Sequence, residues 1–145
     1  MAISFLSVIL LSVGCSSVSS TLKVPSAALE SIRSIGKTRA EISVENDGRD
    51  TTQVEHLLVV DIESAGSRGA FDKAADLLLA RKWTVVGERR PLIVSLKSLE
   101  WKNTHLILYP YNAKELEQYP ELVDQLKEPV NEESLVYLSV FEGEV

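Results

Sequence analysis

The sequence predicts an α+β domain of two layers, in which helices pack on one face of a mainly antiparallel sheet. Three observations lead to this prediction. Residues 37–45 alternate between apolar and polar side chains, which is typical of a half-buried strand. Residues 70–82 carry a regular apolar stripe, which indicates an amphipathic helix. Three short strand-like runs then fill residues 83–109, and their short polar connections favour an antiparallel meander.

The first elements are a short helix and the alternating strand. Ser26 can cap a helix that continues to residue 35, and Gly36 can end it. The strand at 37–45 runs into Asn46-Asp47-Gly48, which is a turn signal. A second strand is therefore expected soon after this turn.

That second strand, at 53–63, is nearly continuous in apolar residues and should lie at the centre of the sheet, buried on both faces. The helix that follows should pack beneath it. We expect Phe71 and Leu78 of the helix to share a core with Leu58 and Val60 of the strand, because the two elements are adjacent in the chain and each has an apolar face to bury.

The rest of the chain supplies the meander, two short helices and a last strand. Asn112 with Glu115 resembles a capping box for the first of these helices, and Pro120 can begin the second. Residues 135–141 return to a strand pattern. The resulting order of elements predicts one domain over residues 26–145.

The N-terminal stretch has a different character. Ala2–Val13 is uncharged and mostly apolar, and it is too short for the roughly 20 residues of a membrane-spanning helix. It fits the apolar core of a secretory signal. Ser12-Val13-Gly14-Cys15 places small residues before the single cysteine, and a Ser-rich spacer follows. This arrangement resembles the lipobox of bacterial lipoprotein precursors.

The resemblance implies that residues 1–14 are a signal peptide, removed by a dedicated peptidase, and that Cys15 becomes the lipidated first residue. Residues 15–25 would then be a flexible tether. The protein would be anchored to the cell membrane by lipid, on its extracytoplasmic face. Two alternatives remain: an ordinary secreted protein cut after Ser17-Val18-Ser19, or an uncleaved N-terminal helix that buries Cys15 as a core thiol.

Composition and charge restrict the partners. The chain has 145 residues and a net charge of −6, from 15 basic and 21 acidic residues. This balance repels phosphate backbones, so we expect no nucleic-acid partner. One cysteine allows no internal disulfide, and lipidation of Cys15 accounts for it.

No catalytic, metal or cofactor motif emerges. The histidines, His56 and His105, each begin a predicted strand and are not spaced as zinc ligands. His56 and Asp61 lie five residues apart on one strand, so their side chains point to opposite faces and cannot form a dyad. We therefore predict no cofactor and favour a non-catalytic domain.

The best surface candidates lie in the loops of the meander. Arg89 and Arg90 occupy one loop, and Trp101 and Lys102 occupy the next. Loops on a rigid sheet commonly carry function, and these four residues offer an aromatic ring and three cations on an acidic protein. The alternative interpretation is that Trp101 folds back over the edge of the sheet.

Three functions therefore remain open. The favoured one is a lipid-anchored domain that binds another envelope protein or a ligand without catalysis. The others are an extracytoplasmic enzyme whose site is assembled from scattered residues, and a soluble cytoplasmic protein with an apolar N-terminus.

Overall fold

The computed structural model describes residues 20–63, 69–126 and 131–143. Within these ranges one seven-stranded sheet carries the fold. Its strands are β1 (Ser20–Leu22), β2 (Lys37–Asp47), β3 (Thr51–Asp61), β4 (Trp83–Arg89), β5 (Ile93–Ser98), β6 (Thr104–Pro110) and β7 (Leu135–Glu142). The helices are α1 (Ser26–Arg33), α2 (Gly69–Leu79), α3 (Ala113–Leu116) and α4 (Pro120–Gln125). The prediction of helices combined with a mainly antiparallel sheet is confirmed.

The order of the sheet brings its last strand into the middle. Strand β2 pairs with β3, β3 with β7, β7 with β6, β6 with β5 and β5 with β4. All of these pairs are antiparallel. Strands β4, β5 and β6 form the predicted meander. Strand β3 lies inside the sheet with partners on both sides, as its continuous apolar run predicted, whereas β2 and β4 lie at the two edges.

Strand β1 was not predicted. Residues 20–22, which we expected within the flexible tether, pair in parallel with residues 51–53 of β3. Strand β7 contacts β3 only over residues 56–61, and β2 occupies the other side of β3. The beginning of β3 therefore has backbone groups free on the β7 side, and β1 supplies their partners.

One core lies between the sheet and helices α1 and α2. Leu58 and Val60 of β3 meet Leu78 of α2 in this core, and Phe71 packs against it while partly exposed. The predicted contact between α2 and β3 is thus confirmed. Both α1 and α2 contribute apolar side chains to this core, because each helix has one buried face.

A second core lies on the opposite face. Leu57 and Val59 of β3 and Tyr137 of β7 pack there against Leu116 of α3 and Leu122 of α4. The expectation that helices cover a single face was therefore wrong for α3 and α4. The physical reason is the apolar run of β3, whose alternate side chains need cover on both faces of the sheet.

Candidate functional site

The predicted loop surface is divided between two ends of the sheet. Arg89 pairs with Ile93 at the start of β5, whereas Trp101 and Lys102 follow Ser98 at its end. The length of β5 puts roughly 17 Å between these ends, at about 3.4 Å per residue. Successive hairpins of a meander open at alternate ends, so the four residues do not form one surface.

Arg90 is bound to acidic neighbours. Its Nε donates to Oε2 of Glu88 at 2.9 Å, and its Nη1 donates to Oδ1 of Asp72 on α2 at 2.9 Å. These contacts raise the pKa of Arg90, with the hydrogen bond to Glu88 as the main cause. The side chain joins the β4–β5 turn to α2, and its charge is already neutralised locally.

Trp101 packs back onto the core. Its ring centre lies 6.5 Å from that of the buried Trp83, and the two planes are inclined at 45°. The hydroxyl of Ser98 accepts hydrogen bonds from the backbone N–H of Glu100 at 3.1 Å and of Trp101 at 2.8 Å, which shapes the turn. The alternative interpretation of Trp101, as a cover for the sheet edge, fits this geometry. Lys102 beside it is exposed.

Cys15, the predicted lipidation residue, lies outside the described residues. In the three described ranges, no helix is long and apolar enough to cross a membrane.

The two histidines lie on opposite faces of the sheet. Nδ1 of His56 is 3.2 Å from the hydroxyl of Ser43, on the face that carries α1. Nε2 of His105 donates to the carbonyl of Gly143 at 3.0 Å, and its ring stacks on Phe141 with centres 5.6 Å apart. Among the described residues, no group of three or more potential ligands could hold a metal ion.

His56 should make stability depend on pH. Burial lowers its pKa from the ordinary 6.5; Glu41 opposes this shift, while Arg33 adds to it. The contribution of neutral His56 to the free energy of unfolding is therefore fully present above pH 6.5. It is lost as the pH falls toward the lowered pKa, because the unfolded chain takes up the proton more readily than the folded protein does. We expect His56→Gln to unfold with a flatter pH dependence between about pH 7 and pH 5, measured by urea denaturation. Parallel curves for the two proteins would contradict this assignment.

The tyrosines of the second face form a stacked group. Tyr109 and Tyr137 lie on neighbouring strands with ring centres 5.3 Å apart. Burial, assisted by nearby Tyr119 and Glu55, raises the pKa of Tyr137 well above its ordinary range. Glu55 in turn accepts hydrogen bonds from Ser139 at 2.6 Å and from the amide of Asn46 at 3.1 Å. These three rings pack in the second core. Tyr119 also forms one wall of a groove.

From Glu41 to Asp47, beyond the bulge at Thr38–Ala40, the backbone groups of the odd-numbered residues of β2 point away from β3. Two hydrogen bonds establish this alternation: Gly48 donates inward to Thr51 at 2.7 Å, whereas Glu41 donates outward to Oε1 of Gln125 at 2.9 Å. Nε2 of Gln125 also donates to the carbonyl of Glu41 at 3.1 Å. One side-chain amide thus binds both backbone groups, as a neighbouring strand would. Beyond that point, over 43–47, no strand in the described ranges pairs with this edge.

A groove of about 300 Å³ lies beside this edge, on the face that carries α3 and α4. Ile42 and Val44 of β2 form one side of it, and Tyr119 and Pro120 form much of the other. Glu121 stands at its rim and is exposed. We name the outer edge over 43–47 together with this groove the β2 edge site. The alternation of residues 37–45 predicts a half-buried strand, and Ile42 and Val44 are partly covered.

A larger cleft of about 620 Å³ lies between β1, the β2–β3 turn and the end of β7. Most of the residues that line it are polar by type, and several of them are engaged within the protein. Gln53 donates to the carbonyl of Glu142 at 3.0 Å, and Asp47 accepts from the hydroxyl of Thr52 at 3.1 Å.

Comparison of the chain with protein-family models, with curated proteins and with solved structures finds no match.

Proposed function

We propose that this protein is a bacterial lipoprotein, anchored by lipid on Cys15 at the extracytoplasmic face of the membrane, whose domain binds an envelope protein without catalysis. The β2 edge site is the part of the domain that we assign to binding. The anchor is supported by the sequence at residues 2–15, and the binding role is supported by the geometry of β2.

The observation that carries the binding role is the open backbone of β2 next to an apolar groove. A strand edge with unpaired N–H and C=O groups is a template for another chain, and proteins usually block such edges. Within the part of the chain that the structure describes, Gln125 blocks the edge at Glu41, and no strand pairs with it beyond that point. The groove beside the rest of the edge can bury side chains of the partner, which adds specificity to the backbone pairing.

The anchor follows from the chemistry that the lipobox resemblance implies. A single acyl chain gives only marginal membrane binding, whereas two chains hold a protein stably. A diacylglyceryl group on Cys15 would supply two chains at once. The charge of −6 gives the domain no general attraction to anionic headgroups, so the lipid is the component that holds it at the membrane.

Replacement of Cys15 tests the anchor. We expect Cys15→Ser to move the full-length protein from the membrane fraction to the soluble fraction and to abolish incorporation of a labelled fatty acid, because the acceptor thiol is lost. Ser16→Ala is the matched control and should behave as the original protein. Mass spectrometry of the mature N-terminus should show residues 1–14 absent and a lipid mass on Cys15. Recovery of an intact Met1 from membrane material would refute the proposal.

A further inference from the structure

We infer that the partner segment bound at the β2 edge site is an extended, basic peptide that joins the sheet as a strand beside β2. This inference rests on the proposed binding function and specifies the chemistry of its partner. Three features of the site lead to it: the direction of the free backbone groups, the position of the groove and the distribution of charge.

The backbone of β2 defines where the added strand lies. Ser43, Glu45 and Asp47 share the outward direction of Glu41, because backbone groups alternate along a strand. Gln125 occupies the position of a strand partner at Glu41, so the added strand must stop there. It can pair along the three remaining outward residues, which corresponds to a short segment of about five residues.

The groove selects an apolar side chain in this segment. Ile42 and Val44 point to the face that carries α4, while Ser43 points to the opposite face, toward His56. Side chains of an added strand alternate in the same way. Every second residue of the segment therefore points to the face of the groove, and the one that lies beside Ile42 and Val44 can bury an apolar side chain against Tyr119 and Pro120.

The charge around the site selects cations at the other positions. Glu45 and Asp47 are exposed on β2 and share the face of Ser43, so they would lie beside the positions of the segment that point away from the groove. Glu121, at the rim of the groove, adds negative charge on the other face. Arg33, a cation on the α1 side of β2, already forms ion pairs with Glu30 at 2.6 Å and with Glu41 at 2.7 Å. A segment with Lys or Arg between its apolar residues matches this surface.

The same charges disfavour a second copy of this chain as the occupant. Antiparallel pairing of β2 with β2 of another molecule would bring Glu45 and Asp47 of both copies together. Like charges placed opposite each other across strands are destabilising. A basic segment of another protein avoids that repulsion.

The test uses the full-length protein in detergent micelles and a labelled, end-blocked peptide, Lys-Val-Lys-Leu-Lys-Val-Lys, followed by fluorescence anisotropy against empty micelles. We expect saturable binding that weakens as salt is raised. Two control peptides define the mode: one carries N-methyl groups on alternate residues and cannot donate to the edge, and one has Glu in place of every Lys. Both should bind at least about tenfold more weakly, a difference of 1.4 kcal/mol.

Variants of β2 locate the binding. Ser43→Pro removes one outward N–H from an edge strand, where proline is tolerated, and should weaken peptide binding by about tenfold or more. Ser43→Ala keeps that N–H and is the matched control. Glu45→Lys combined with Glu121→Lys should reverse the preference, so that the Glu peptide binds better than the Lys peptide. This charge variant leaves the backbone intact and decides the question if Ser43→Pro fails to fold by circular dichroism.

Several results would overturn the inference: equal binding of the N-methylated peptide, unchanged binding by folded Ser43→Pro, or no response to the charge reversal. A dimer in sedimentation that Ser43→Pro dissociates would identify a second copy as the occupant and would also overturn it. The Cys15→Ser experiment is independent of these results. Loss of the peptide interaction with the anchor intact would therefore remove this inference alone, whereas an unlipidated Cys15 would remove the anchor alone.

Discussion

Replacing Leu78 with alanine should lower the free energy of unfolding by about 2–5 kcal/mol, the usual cost of a large truncation in a core. Leu78 is 0% exposed and lies where α2 meets the central strand β3. Ala74 and Ala75 on the same helix are already small and cannot fill the cavity that remains. Urea denaturation followed by circular dichroism would measure the loss.

The neighbouring Leu79 provides the control for this prediction. It belongs to the same helix and is 44% exposed. Leu79→Ala should therefore change stability by less than about 1 kcal/mol, because little buried surface is removed. Equal losses for the two variants would show that α2 does not bury the face that the structure assigns to it.

A methyl group on Gly36 should also destabilise the fold strongly. Gly36 lies between α1 and β2, and a Cβ there would overlap the backbone carbonyl of Asp61 at the end of β3. The backbone cannot yield as a flexible side chain would, so α1 or β2 must shift. We expect Gly36→Ala to cost about 1–3 kcal/mol or more, in the range of overpacked cores.

Gly87 is the matched control for Gly36. It lies on edge strand β4, and a Cβ there would meet nothing within 4 Å. Gly87→Ala should be nearly neutral or slightly stabilising, because alanine restricts the unfolded chain more than glycine does. A neutral result at Gly36 would show that α1 approaches β3 less closely than the structure indicates.

Much of the fold could be predicted because its elements carry local patterns. The alternation in β2 correctly assigned Ile42 and Val44 to one face and Glu41 to the other, where it binds Arg33 of α1. The packing of α2 against β3 followed from the same kind of pattern. Strand β1 could not be predicted, since its formation depends on the length of β3 that β7 leaves uncovered.

The proposed binding site was harder to predict than the fold. Alternation does not show which strand lies at an edge, and β2 is an edge because β7 pairs with β3 and β6 and not with β2. That pairing joins distant parts of the chain.

The separation of Arg89 from Trp101, by contrast, could have been predicted, because two consecutive hairpins of a meander point in opposite directions. The role of Gln125 at the edge depends on tertiary contact alone.

The parallel pairing of β1 with β3 determines how the domain would face a membrane. It places Ser20 beside Thr51, at the end of the sheet where the β2–β3 turn lies. Ser20 is five residues after Cys15 in the sequence, and a fully extended chain covers at most about 18 Å over five such steps. A lipid on Cys15 would therefore hold the β2–β3 turn toward the headgroups, with the outer edge of β2 rising from it. A partner segment would have to be presented within a few nanometres of the bilayer, which favours proteins that are themselves attached to that surface.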